Sequence, residues 1–166
     1  MLLAHSLKPQ RDRAVIRALL RGLGIACVDA EVIAPVEAPM DVRFRQAQFH
    51  VRELGDPPWG CAWHAKDSGD LRHPAGEMDL TARLAHIPTA LAPHAAWYGV
   101  RCVGLDVVVA VEGYHGVLAP PAQAPVIRAL ALQGWRSVSV VCPPSGMVLY
   151  AASGAPDFLR AGTGRL

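Results

Sequence analysis

The chain has 166 residues, of which 52% are hydrophobic and 18% charged, and its net charge is +2. So much apolar material excludes a disordered chain, and the small charge is not by itself the mark of a nucleic-acid binder. The length suits one domain over residues 1–166, with 161–166 expected to fray. No apolar run reaches the ~18 residues that a membrane span needs. The apolar start, Met1 to Ala4, is short for a signal peptide and runs into Lys8, Arg11 and Arg13, so a cytoplasmic protein with no membrane partner is expected.

The first element expected is a helix from Pro9 to Leu23. Val15, Ile16, Leu19, Leu20 and Leu23 share one helical face, Arg13, Arg17 and Arg21 line another, and Gly22 and Gly24 close it. The arginine stripe reads either as a phosphate-facing surface or as an ordinary solvated face. Ile25 to Ile33 is rich in β-branched residues and reads as a strand, followed by a Pro-rich connector over residues 34–39. Met40 to Arg45 and Gln48 to Leu54 alternate apolar and polar residues, so they form a hairpin turning at Gln46-Ala47.

Residues 55–74 read as a long loop. Ala75 to Ile87 reads as a helix that Pro88 ends, with a further short helix around Pro93. Val100 to Val111 is nearly continuous Val and Leu and reads as a strand buried on both faces. Its Asp106 calls for an arginine partner or a position at the exposed start of the strand. A helix over Gln123 to Leu132, strands over Trp135 to Cys142 and Met147 to Ala152, and a short helix or turn over Ala155 to Arg160 complete the chain. This order gives an α/β fold with a mixed sheet flanked by helices.

Two features carry chemistry. Only Lys8 and Lys66 among the 16 cationic side chains are lysines, and arginine is the better fork for phosphate, although the Ala, Arg, Gly and Pro enrichment also looks like a GC-rich coding bias. With the turn at Gln46-Ala47, Asp41 lies opposite Arg52. Val42, Phe44, Phe49 and Val51 then face the core, while Asp41, Arg43, Arg45, Gln48, His50 and Arg52 share the other face.

Pro39-Met40-Asp41, then His50-Val51-Arg52, with a helix before and a helix after, resembles the P-x-D…E-x-K active-site hairpin of the PD-(D/E)xK nucleases. The segments 38–44 and 49–51, with 134–141, 148–151 and 155–160 near the other end, are similar to the bacterial domain-of-unknown-function family 1780, a family of candidate DNA endonucleases. The resemblance implies a restriction-endonuclease-like fold, DNA as partner, and a divalent metal, Mg²⁺ or Mn²⁺, held by Asp41 with His50 at the Glu position. It puts Arg52 at the Lys position, where a phosphate or transition-state contact is expected, and offers Asp12 as the acid of the first helix. Both replacements matter. Mg²⁺ favours carboxylate oxygens, His50 suits Mn²⁺ or Zn²⁺ better, and Arg52 is a poor proton acceptor.

Three functions follow. The first is a DNA endonuclease of this type with altered and weakened chemistry. The second is a non-cutting module that binds nucleic acid or a phosphate ligand through Arg43, Arg45 and Arg52, with Arg13 and Arg17 as further contacts. The third is a structural or interaction protein whose hairpin face is only ion-paired. Asp67, Asp70, His64 and His73 in the long loop are secondary metal candidates, Trp59, Trp63 and Trp97 are candidates for base stacking, and Glu112, Tyr114 and His115 gather where the Val-rich strand ends. Oligomeric state is not legible.

Overall fold

A computed structural model of the protein describes residues 2–35, 40–54, 80–111, 124–142 and 145–163. Helix α1 (Leu2–Gly22) precedes a hairpin of β1 (Val42–Phe44) and β2 (Ala47–Leu54). Then come α2 (Leu80–Tyr98), β3 (Asp106–Val111), α3 (Ala124–Leu132), a hairpin of β4 (Ser137–Cys142) and β5 (Ser145–Ala151), and α4 (Asp157–Gly162). The strands form one open sheet in chain order, antiparallel at both ends and parallel across β2, β3 and β4. The architecture is α/β, a mixed sheet flanked by helices, as the order of elements implied.

The sheet is clad on both faces. On one, Ile16, Leu19 and Leu20 of α1 and Leu159 of α4 pack on Val42, Phe44, Phe49, Val51, Val108, Val141 and Val148. On the other, Leu84, Ile87 and Leu91 of α2 and Val126 and Leu130 of α3 pack on Val107, Val109, Val138, Val140 and Leu149. Every residue of β3 is buried, as its composition predicted. Among the described residues no helix is long and apolar enough to cross a membrane.

α1 ends as its glycines required. Gly24 adopts a positive φ of 70°, its N–H bonds the Arg21 carbonyl at 3.0 Å, and the Ile25 N–H returns to the Leu20 carbonyl at 2.8 Å. Gly22 also lets the helix lie close on β5: a Cβ built there would stand 2.6 Å from the Gly146 nitrogen.

Several boundaries differ from expectation. α1 begins upstream of Pro9, which sits inside it. The expected strand over Ile25 to Ile33 does not form: Asp29–Glu31 is a 3₁₀ turn, and only Ile33 pairs, bridging to Arg43. Acidic side chains favour local bonds over ladder pairing, and here the Glu31 carboxylate accepts the Val28 N–H at 2.9 Å. Pro88 does not end α2, and the separate helix at Pro93 is part of it. Burying Leu91 on the same face as Leu84 and Ile87 offsets the proline penalty of ~3 kcal/mol, and Gln133 Nε2 donates to the Pro88 carbonyl at 2.6 Å. Gly99–Gly104 is 3₁₀ rather than strand, with Val100 and Val103 exposed, so β3 starts at Asp106. Residues 161–162 belong to α4 and Thr163 bridges to Val148, so the expected fraying does not hold there; 164–166 lie outside the described residues.

Asp106 meets the first alternative posed for it, an arginine partner; it does open the strand, but it is fully buried rather than exposed. Arg136 Nε donates to Oδ1 at 3.1 Å and Nη2 pairs with Oδ2, while Ser137 Oγ and the Gln48 N–H donate at 2.8 and 2.9 Å. Arg136 Nη2 also reaches the Gln46 carbonyl at 3.1 Å, so this buried pair fixes the β1–β2 turn to the middle of the sheet.

Candidate functional site

The hairpin turns at Arg45-Gln46, one residue earlier than expected, with Phe44 opposite Ala47 and Val42 opposite Phe49. Arg45 takes a positive φ of 51°, the feature that a two-residue hairpin turn needs at its first position, and its guanidinium lies 4.7 Å from the Phe44 ring centroid. The register therefore shifts by two residues. An even shift leaves every side chain on its expected face, but it sets Asp41 opposite His50 instead of Arg52.

The three expected site residues do converge. His50 Nδ1 lies 3.3 Å and Arg52 Nη1 3.7 Å from Asp41 Oδ2, and the Val51 N–H donates to the same oxygen at 2.9 Å. Asp41 stands where β1 begins, at the border of the sheet, so it is reached from both layers. From the α1 side comes a group that the sequence reading passed over. Lys8 Nζ donates to Asp41 Oδ1 at 2.8 Å and to Asp12 Oδ2 at 2.5 Å. Its signal was the i, i+4 spacing from Asp12, which puts both side chains on one helical face. Asp12, the candidate acid of the first helix, is thus part of the constellation and only 3% exposed.

Burial pushes the Asp41 carboxyl up. Hydrogen bonds from His50, Lys8 and the Val51 N–H, with the charge of Lys8, outweigh it and hold the group well below the usual carboxylate range. For Lys8 burial again opposes the charge, and the bonds to Asp12 and Asp41 overcome it, so its ammonium is held more firmly than in water. Four charges of this set, Asp12, Asp41, Lys8 and Arg52, sum to zero.

On the other side α2 roofs the site. The Tyr98 ring packs edge-on against His50 with centroids 4.9 Å apart, and Tyr98 Oη accepts from Arg52 Nη2 at 3.4 Å. His94 stands 6.3 Å from His50, its pKa lowered by burial and then by the nearby Arg52 and His50. Nothing in the sequence paired α2 with the hairpin, because these contacts span more than forty residues. His50 is therefore buried, 2% exposed, whereas Lys8, Asp41 and Arg52 open to solvent at 37%, 19% and 18%.

The donor set does not fit a divalent metal. Among the described residues no group of three His, Cys, Asp or Glu side chains could hold one. Each oxygen of Asp41 is taken by a donor, and His50 Nδ1 faces the carboxylate as a donor itself. What the arrangement can do is present two cations, Lys8 and Arg52, on a carboxylate scaffold at the surface.

The arginines proposed for nucleic acid are dispersed. Arg43 is exposed on β1, across from Gln48. Arg45 lies at the opposite end of β1 from Asp41, lining an open groove of about 500 Å³ with Gln46, Arg136 and Asp157. Arg17 is paired with Asp29 at 2.9 Å, and Arg13 is half-buried on α1. Trp97 is 78% exposed. His64, Asp67, Asp70, His73, Trp59, Trp63, Glu112, Tyr114 and His115 lie outside the described residues.

Comparison with known proteins places this geometry in context. A solved structure of a protein of unknown function from Pseudomonas aeruginosa strain PAO1, described as "Monooxygenase Superfamily", is 31% identical, with a TM-score of 0.63 over 95% of this chain and 81% of that one. No curated protein matches. A family model matches residues 1–166 from end to end, and the chain belongs to that family, described as "Putative endonuclease, protein of unknown function (DUF1780)".

Proposed function

We propose that this chain binds the phosphodiester backbone of DNA at a nuclease-type site and holds it without cutting. The observation that supports this best is the saturation of Asp41. A carboxylate that accepts from Lys8, His50 and the Val51 N–H serves to position cations, and of the two cations nearest it Lys8 is exposed while Arg52 keeps a smaller part of its side chain in solvent. A guanidinium oriented in this way can take a phosphate oxygen, and a neighbouring ammonium adds charge. The family description, an endonuclease label, supports a nucleic acid as the polymer, and DNA is the one we take. Arg43, exposed one strand over, extends the same face.

The test is fluorescence anisotropy with duplex DNA in EDTA across a salt series. Binding should survive chelation and weaken linearly in log salt. Arg52→Gln should lower affinity for all sequences alike and reduce the salt slope by about one. Absence of salt-dependent binding removes this reading. The second reading, a metal-dependent endonuclease, is favoured by the family description, against the donor set described above. Nicking of supercoiled plasmid that requires Mg²⁺ or Mn²⁺ and is lost in Asp41→Asn would establish it in place of the first.

A further inference from the structure

We propose that the Lys8 ammonium stands in for a divalent cation between Asp12 and Asp41, so that the site is closed to metal as the protein folds and becomes a divalent-cation site when that ammonium is taken away. The inference concerns the same site but stands without DNA, and its test uses none.

The geometry carries it. One nitrogen bridges oxygens of two carboxylates from different elements, at 2.5 Å to Asp12 on α1 and 2.8 Å to Asp41 at the start of β1. This is the topology of a bridging metal. A small divalent ion sits ~2.1 Å from each carboxylate oxygen, so the gap would need to tighten by only about half an ångström. Asp12 is 3% exposed, and a carboxylate so buried requires a counter-charge. Arg11, one residue away on α1, is bonded to Glu53 at 2.7 Å, and among the described residues the carboxylate that Arg52 approaches is Asp41, which leaves Lys8 as the partner shown for Asp12.

Charge accounting gives the consequence. With Lys8 and Arg52 both present, the four groups are neutral and a divalent ion would add two uncompensated charges at short range. Without Lys8 the set is left at minus one around two carboxylates, which is the condition that draws a hard cation.

The experiment is Mn²⁺ titration, followed by the electron paramagnetic resonance of the free ion, on wild type, Lys8→Met, Lys8→Gln and Lys8→Met with Asp12→Asn, each first checked for a native circular dichroism spectrum. Wild type should take up no Mn²⁺ at this site. The single Lys8 variants should bind one Mn²⁺ at least tenfold more tightly than wild type, and the added Asp12→Asn should abolish the gain. A folded Lys8 variant that binds less than tenfold more tightly than wild type overturns the proposal, as does a gain that survives Asp12→Asn. If neither Lys8 variant folds, the melting curve of wild type decides. Insensitivity to Mn²⁺ supports a filled position, and a saturable rise in Tm with Mn²⁺ overturns it.

Discussion

Asp41→Asn separates a cation scaffold from a metal-ligand cluster by the sign of its effect on stability. Asparagine keeps the shape and can still accept from the Val51 N–H, which lies 2.9 Å from Oδ2. It loses the charge that faces Lys8 at 2.8 Å, His50 at 3.3 Å and Arg52 at 3.7 Å. Hydrogen bonds to a charged group contribute about 1.5–3 kcal/mol each when buried, whereas solvent-exposed ion pairs contribute roughly 0–1 kcal/mol. Lys8 is 37% exposed, so its share belongs near the lower figure. The expected loss is about 2 kcal/mol, or a fall in Tm of roughly 4–8 °C for a chain of this length. Urea unfolding at pH 7 and low salt measures it, read as a lower midpoint at unchanged slope. The sign of the pH dependence is fixed as well. Folding lowers the Asp41 pKa, so the difference between wild type and variant is full at pH 7 and shrinks once the pH falls below the ordinary carboxyl value of 3.8. A variant as stable as wild type, or more stable, would refute the reasoning. It would mean that the carboxylates are crowded and repelling, as ligands awaiting a metal are.

Asp106→Asn leaves the Arg136 guanidinium buried against an amide, and unfolding should show a loss of about 3–5 kcal/mol, partly recovered when Arg136→Met is added. Gly146→Ala drives a Cβ to 2.9 Å from the Leu19 Cα, where the helix backbone cannot give, and should cost about 1–3 kcal/mol in the same assay. His94 titrates below its ordinary 6.5, so the unfolded chain binds that proton more readily. Stability should therefore decline as the pH drops below 6.5, and His94→Gln should flatten the decline in a series of thermal melts. The Lys8 contribution has the opposite sign: it is present below 10.5 and should disappear as the pH rises beyond that value, visible as an alkaline loss of Tm that Lys8→Met lacks.

The sequence showed which side chains would meet better than how they would meet. Period-two alternation assigned both hairpin faces correctly, and the error in register did not disturb them because it was even. The register itself was illegible: the turn is opened by Arg45 at positive φ, where glycine or asparagine is the usual signal, and burial of Ala47 against Phe44 decides the pairing. Pro88 read as a helix end and Pro93 as the place of a separate short helix, yet packing of Leu91 carries α2 through both. The Asp106 partner lies thirty residues downstream at Arg136, beyond any local pattern. Lys8 was legible in principle, as the fourth residue before an acid on a helix, but only the fold brings Asp41 across to it.

The close seating of α1 has a consequence for biosynthesis. Helix α1 finds its main packing partners in β4 and β5, through Val141 and Val148, which lie far downstream of it in the chain. Until those strands are made, α1 has only its contacts with β1 and β2, through Val42, Phe44, Phe49 and Val51, to seat Lys8 and Asp12 against the hairpin. A product cut short before β4 would thus carry every residue of the constellation with α1 only partly anchored.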